Sequence, residues 1–216
     1  MILLVTRPNH DVTTRYLSVW AEEIITLARE RGVKVIDLSG HKATKKEFSG
    51  RVEKLNPETL FLNGHGSDKS IAGQDNDILI SAGDNHNLLK GKIAYALSCD
   101  SAKELGETVA NEDKSAYIGY KDEFIFMSSR TSIRKPKSDK LARPFMEASN
   151  QVMISLLKGN TALESSDKSR HKFREQFVRL SSSTADPDSL QSAQLLWWNM
   201  RNQVCLGNGS LRISYE

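Results

Sequence analysis

The sequence predicts an α/β fold with a mainly parallel central sheet and helices on both faces. Short, apolar, β-branched runs recur through the first half of the chain, and each run ends at a polar, turn-rich stretch. Segments with helical spacing of apolar residues separate most of these runs. Strands that alternate with helices are joined by right-handed crossovers and pair in parallel, so the sheet is expected between two layers of helices.

The first half divides into five predicted strands, which cover residues 2–6, 33–38, 59–62, 92–97 and 116–120. Apolar residues at helical spacing from Tyr16 to Ala28 predict a helix after the first strand, and Arg31-Gly32 is typical of its end. Further helices are predicted over residues 44–55 and 102–110. Residues 68–87 are turn-rich, and residues 78–80 could form one strand of a small hairpin.

The second half has a different character. Residues 128–144 contain six basic residues and few apolar ones, which predicts a mobile basic loop. Two or three helices follow, over residues 141–157, 162–180 and 189–206, the last with a cap at residues 186–189, and residues 211–215 could form a last strand. We expect one domain over residues 1–216, with a sheet core (1–126), a basic loop (127–144) and C-terminal helices (145–216).

Length, charge and cysteine content exclude several classes of protein. A chain of 216 residues with 38% hydrophobic and 26% charged residues is typical of a folded globular domain. The net charge of +3 is too close to neutral for a dedicated nucleic-acid binder, although residues 130–179 carry 12 basic and 5 acidic residues. Two cysteines and no signal peptide after Met1 indicate a reduced, cytoplasmic protein without a metal cage. No apolar run approaches the roughly 20 residues of a membrane span.

Two consecutive strand ends carry side chains suited to catalysis. His65 follows the third predicted strand and Cys99 follows the fourth, and the carboxyl ends of parallel strands meet at one edge of a sheet. A histidine can deprotonate a thiol near neutral pH, and the start of the predicted helix 102–110 would favour a thiolate. The backbone N–H groups of Gly66 and Cys99 could hold a developing oxyanion. The pattern predicts acyl transfer, and no cofactor is expected.

The residues around this pair resemble the clan CD peptidases of caspase-hemoglobinase fold, and within them the bacterial CHAT-type branch. The resemblance covers about residues 1–126 and is carried by three segments, Leu60-Phe61-Leu62-Asn63-Gly64-His65-Gly66-Ser67, Ala96-Leu97-Ser98-Cys99-Asp100-Ser101 and Ala116-Tyr117-Ile118-Gly119-Tyr120. It implies a cysteine protease with Cys99 as nucleophile, His65 as base, and Gly66 with the Cys99 backbone as oxyanion hole. The Gln-Ala-Cys context of caspases is absent, so aspartate specificity is not implied.

The resemblance also suggests how a substrate is chosen. In this fold the loops after the nucleophile strand and the next strand shape the pocket, and here they carry Asp100, Asp122 and Glu123. Acidic groups there favour a basic or a small residue before the scissile bond. The basic loop could be a lid, an autocleavage segment or a docking surface for an activating protein partner. Bacterial relatives imply antiphage defence, with a gasdermin-like pore former as the protein substrate.

Other interpretations remain open at this stage. A lone cysteine is more often buried structure than nucleophile, so the chain could be an inactive relative that binds a protein partner. A nucleotide-binding domain is disfavoured because Arg7-Pro8-Asn9-His10 stands where a glycine-rich phosphate loop is expected. His10 could line the same crevice as His65, and Asp100 could simply cap the next helix. Cys205, near a pair of tryptophans, is expected to be inert.

Overall fold

The computed structural model describes residues 1–112, 114–181 and 187–214. In chain order its strands are β1 (Ile2–Arg7), β2 (Lys34–Ser39), β3 (Thr59–Asn63), β4 (Ser70–Ala72), β5 (Ile78–Ser81), β6 (Ile93–Leu97), β7 (Ala116–Tyr120) and β8 (Gln203–Gly207). The helices are α1 (Val12–Glu30), α2 (Lys45–Leu55), α3 (Glu104–Ala110), α4 (Arg143–Leu156), α5 (Ala162–Ser181) and α6 (Pro187–Asn202). No helix in these ranges is long and apolar enough to cross a membrane.

Six strands form one sheet in the order β2-β1-β3-β6-β7-β8, and β4 and β5 form a separate hairpin. Neighbouring strands from β2 to β7 run parallel, and only β8 is antiparallel to its partner β7. Successive residues of a strand point to opposite faces, so Leu3 and Val5 join one core while Leu4 joins the other. The first core contains side chains from α1, α4 and α5, and the second contains side chains from α2 and α3. The predicted three-layer α/β fold is confirmed.

The C-terminal region differs from the prediction. The last helix was expected to reach residue 206, but α6 ends at Asn202 and the next five residues pair with β7 as β8. The free edge of β7 explains this difference, because its backbone groups need a hydrogen-bonding partner that periodicity alone does not reveal. The predicted strand over residues 211–215 is absent up to residue 214, where Arg212 forms only an isolated bridge to Thr161. Its last residue, and the cap predicted over residues 182–186, lie outside the described ranges.

The basic segment is packed against α1, whereas a mobile loop was expected. It has only short 3-10 turns between β7 and α4. Its anchor is the fully buried carboxylate of Asp139, which accepts hydrogen bonds from the Tyr16 hydroxyl at 2.6 Å and from the N–H groups of Ser129 and Leu141 at 2.8 and 2.9 Å. Lys137 lies 4.2 Å from the centre of the Trp20 ring. These contacts explain how a segment rich in positive charge is held on the surface.

Candidate active site

The loops after β3 and β6 touch at the carboxyl edge of the sheet. A methyl group added to Gly66 would lie 2.3 Å from the carbonyl oxygen of Cys99 and 2.3 Å from the Ser98 hydroxyl. Gly64 is equally confined, because its added methyl would lie 1.9 Å from the Ala72 carbonyl of the hairpin. Only glycine allows the backbone to approach this closely. The two strand ends identified from the sequence are therefore in direct contact.

His65 is held by an aspartate that the sequence analysis did not identify. Its Nε2 lies 2.6 Å from Oδ2 of Asp11, the residue that caps the start of α1. The other carboxylate oxygen of Asp11 accepts the N–H and the hydroxyl of Thr14, both at 2.8 Å. Burial would raise the pKa of Asp11, but the hydrogen bonds from His65 and Thr14 outweigh it and lower the pKa to about 2. Asp11 is thus a fixed negative charge beside the His65 ring.

A sequence signal for Asp11 existed. An aspartate three residues before a threonine, immediately ahead of a helical pattern, is typical of a helix N-cap. The same residue also follows β1, which lies next to β3 in the sheet. The capping pattern accounts for only one carboxylate oxygen, and only the strand order shows that the other oxygen faces His65.

The Cys99 thiol is partly buried. Its Sγ lies 3.8 Å from the carbonyl oxygen of Phe124, and the thiol makes no hydrogen bond to the His65 ring. Burial raises the pKa of Cys99, and the negative charges of Glu123 and Asp100 raise it further. The helix expected to start at residue 102 starts at Glu104, five residues after Cys99. Hydrogen bonding with the backbone of Phe124 and of Cys99 itself lowers the pKa of the thiol, but burial and the two negative charges outweigh it.

The backbone N–H groups of Gly66 and Cys99 lie at the contact between the two strand ends. The structure gives no hydrogen-bond acceptor for the N–H groups of Gly66 and Cys99 among the residues it describes. They belong to the same contact, since a methyl on Gly66 would lie 3.1 Å from the Cys99 nitrogen. Unpaired N–H groups at a site of this kind can stabilise a developing oxyanion.

The three acidic residues predicted to bind substrate lie around the thiol. Asp100 has a left-handed backbone (φ 58°), its N–H donates to the Asp122 carbonyl at 3.1 Å, and its side chain pairs with Lys103 at 2.5 Å. It does not cap α3, whose first turn has no side-chain cap. Glu123 is exposed and has no cationic partner among the described residues. Of the three carboxylates, Asp100 is neutralised within the chain, while those of Asp122 and Glu123 remain available to a cation.

Helix α6 fixes the loop that carries these acidic residues. Trp198 donates its ring N–H to the Glu123 carbonyl at 3.0 Å, and Asn199 exchanges two hydrogen bonds with the backbone of Ile125. A cavity of about 540 Å³ opens behind the loop, and its walls are almost entirely apolar. It is lined by Ile125, Phe177, Gln194, Leu195, Trp197 and Trp198. The tryptophan pair therefore supports the loop, beyond the core packing expected from the sequence.

The remaining candidate residues have clear positions. Cys205 lies on β8, away from the site, and burial raises its pKa to about 11, in keeping with an inert thiol. His10 lies beside the His65–Asp11 pair, and the three side chains bring ligating atoms within 4.8 Å of one another. A metal there would have to bind Nε2 of His10, which must carry the proton because Nδ1 accepts the Asp75 N–H at 3.2 Å. This hydrogen bond disfavours metal binding.

The strand order, the flanking helices and the site at the carboxyl edge define a caspase-hemoglobinase-like fold. A solved structure with this fold is that of the Arg-specific cysteine proteinase gingipain R, which superposes on 98% of this chain with a TM-score of 0.56 and 14% sequence identity. The chain spans 47% of that structure, about half its length. No family model and no curated protein matches the sequence. The likeness shows the fold.

Proposed function

We propose that this chain is a cysteine endopeptidase with Cys99 as nucleophile, His65 as general base and Asp11 as the group that orients His65. One observation carries the proposal: His65, which pairs with Asp11 at 2.6 Å, lies on the loop whose Gly66 is pressed against the Cys99 backbone. A base, its orienting carboxylate, a nucleophile and free N–H groups at one point are the parts that acyl transfer needs. The cysteine proteinase named for the structural neighbour is in keeping with this chemistry.

The arrangement suggests a sequence of steps. Because Asp11 accepts the proton on Nε2, the Nδ1 lone pair of His65 is available as the base. His65 takes the thiol proton as sulfur attacks the scissile carbonyl carbon, and the carbonyl electrons move onto oxygen, facing the N–H groups of Gly66 and Cys99. Collapse breaks the C–N bond, and the leaving amine receives the proton from His65. Water then attacks the thioester with His65 again as base, releasing the acid and the Cys99 thiol.

For the substrate we propose a protein with a basic residue, arginine or lysine, before the scissile bond, with a small residue as the alternative. Glu123 is exposed and its charge acts on the Cys99 thiol, Asp122 precedes it in the same loop, and a guanidinium or ammonium group pairs well with carboxylates. The arginine specificity in the name of gingipain R supports this choice. A CHAT-type assignment, a gasdermin-like substrate in antiphage defence, an activating partner at the basic segment and a cytoplasmic setting stay predictions from the sequence resemblance.

The test is cleavage of a peptide library, with mass spectrometry of the products. Cys99→Ala and His65→Ala should both abolish cleavage, because each removes a group that the first step requires. Cys205→Ala is the matched control, since it removes the other thiol without touching the site, and it should cleave like the wild type. Cleavage that survives Cys99→Ala would refute the proposal, and the products would show which residue precedes the cut.

An inactive, partner-binding domain is the second candidate, and the raised pKa of the Cys99 thiol, caused first by its burial, favours it. The two candidates differ in what a substrate-like ligand does to the thiol. A peptide ending in an arginine chloromethylketone should label Cys99 of an enzyme much faster than a neutral alkylating agent of equal intrinsic reactivity. Equal rates for the two reagents would support the binding domain.

A further inference from the structure

His10 lies beside the Asp11–His65 pair and is itself almost buried, with 13% of its side chain exposed. Its Nδ1 accepts the backbone N–H of Asp75 at 3.2 Å. Its Nε2 lies 3.5 Å from Oδ2 of Asp11, and this buried nitrogen makes no hydrogen bond of its own. The rings of His10 and His65 meet edge to face, with their centres 6.0 Å apart.

The group that holds His10 belongs to the turn between β4 and β5. Residues Gln74–Asn76 form one 3-10 turn in which Asp75 and Asn76 both have left-handed backbones, φ 53° and 63°. A left-handed conformation costs a residue other than glycine about 1 kcal/mol or more, so surrounding contacts must maintain it. Gln74 provides one such contact, because its side-chain oxygen accepts the Asn9 N–H at 3.0 Å. The hairpin thus holds two successive residues of the loop that carries Asp11.

The hydrogen bond from Asp75 decides which nitrogen of His10 carries the proton. A neutral imidazole has one donor and one acceptor nitrogen, so accepting at Nδ1 leaves the hydrogen on Nε2. Oδ2 of Asp11, the same oxygen that receives His65, lies 3.5 Å from that nitrogen. Two imidazole N–H groups therefore converge on one carboxylate oxygen.

We propose that His10, set by the β4–β5 turn, is a positioning residue for this site: it holds the Asp11 carboxylate so that His65 keeps its proton on Nε2 and its lone pair on Nδ1. This inference rests on the proposed peptidase, because only a base at Nδ1 gives the positioning a catalytic purpose. His10 touches neither thiol nor substrate in this scheme. It acts through Asp11.

Three variants at position 10 separate the two contacts of the ring. Asparagine keeps an acceptor at the place of Nδ1 and loses the distal donor, glutamine keeps a donor near the place of Nε2, and alanine loses both. His86→Ala is the matched control, because His86 also accepts a backbone N–H through Nδ1, that of Gly83 at 3.1 Å, but lies next to Glu112 and away from the site. Thermal unfolding of each variant verifies that it is folded.

The first readout is steady-state kinetics on a peptide that the wild type cleaves. His10→Ala and His10→Asn should lower kcat about 10-fold, because both lose the contact that holds the Asp11 carboxylate. KM should stay unchanged within about twofold. His10→Gln should recover most of the lost rate, and His86→Ala should match the wild type. A wild-type kcat for His10→Asn, or equal losses for Asn and Gln, would overturn the proposal.

The second readout does not depend on activity. Nitrogen NMR of the histidine rings reports the tautomer of His65, which should be Nε2–H in the wild type and in His10→Gln, and a mixture in His10→Ala and His10→Asn. An unchanged His65 tautomer in all variants would overturn the positioning role even if peptides are cleaved. If no peptide is cleaved by the wild type, the proposed function fails while the tautomer measurement still decides the role of His10.

Discussion

Replacing Gly66 with alanine tests the contact on which the whole site depends. The added methyl would lie 2.3 Å from the Cys99 carbonyl oxygen and from the buried Ser98 hydroxyl, whereas a favourable contact needs about 3.5 Å. The two strand ends would have to separate by roughly 1 Å. A displacement of that size in a catalytic constellation costs on the order of 100-fold in rate, and it also moves one of the two N–H groups proposed for the oxyanion. We expect kcat/KM to fall about 100-fold or more.

The same substitution has a smaller effect on stability. Overpacking costs about 1–3 kcal/mol, and the reduced freedom of the unfolded chain returns about 0.4–1 kcal/mol. The net loss is therefore about 0–2.6 kcal/mol, which for a chain of this length corresponds to a drop of at most about 10 °C in Tm. The enzyme should thus remain folded at assay temperature while losing most of its activity.

Gly50→Ala is the matched control for that experiment. Gly50 lies in the exposed part of α2, and a methyl group added there meets nothing within 4 Å. Alanine should raise stability by about 0.5–1 kcal/mol, since it lowers the entropy lost on forming the helix, and leave cleavage unchanged. Peptide cleavage and thermal unfolding are measured for both variants. Wild-type kcat/KM in Gly66→Ala would refute the argument that this contact builds the site.

Two further predictions concern charge. Glu123→Gln removes a negative charge that raises the pKa of Cys99, so the pKa falls and the thiolate fraction at neutral pH increases. An exposed charge pair is worth about 0.2–1 kcal/mol. Iodoacetamide should therefore alkylate Cys99 about 1.5- to 5-fold faster at pH 7. An unchanged rate would show that Glu123 does not act on the thiol. Asp139→Ala leaves the buried hydrogen-bond donors around this carboxylate unpaired and should lower the free energy of unfolding by about 3 kcal/mol or more. Asp84→Ala is the control, because it breaks only a surface pair with Lys45 and should lower the free energy of unfolding by less than about 1 kcal/mol. Similar denaturation midpoints for the two variants would contradict the anchoring role of Asp139.

The sheet and its neighbouring helices could be predicted from the sequence because local signals agree there. Each strand from β1 to β7 in the main sheet is a short apolar run bounded by turn residues. Such continuous apolar runs are typical of strands that are covered on both faces of a parallel sheet. The pattern fails at β8, where Val204, Cys205 and Leu206 continue the apolar spacing of α6 but pair with β7. Which edge of a sheet still lacks a partner is a property of the assembled sheet, so no local window contains it.

The site was half predictable for the same reason. His65 and Cys99 follow strands and could be placed at one edge by topology alone. His10, at the end of the first strand, was also a candidate for this crevice, whereas the contact of Asp11 with His65 needed the strand order, since β1 becomes a neighbour of β3 only once the sheet is assembled. The hydrogen bond from the Asp75 N–H to His10 could not be predicted from the sequence. It depends on two left-handed residues in a polar hairpin turn, and the composition of the turn does not specify its conformation.

The resting charge distribution connects substrate choice to activation in the proposed peptidase. Burial, and after it the charges of Glu123 and Asp100, raise the pKa of the Cys99 thiol, which lowers the thiolate fraction and so the reactivity of the nucleophile without substrate. Under the proposed specificity, a bound arginine or lysine side chain pairs with the acidic loop, and its positive charge cancels part of the field that disfavours the thiolate. Asp100 is already balanced by Lys103, which leaves Glu123 as the carboxylate whose field a substrate can most readily change. The cation that binds is then also the cation that lowers the barrier to forming the nucleophile, so a basic residue before the scissile bond would improve the chemical step as well as binding.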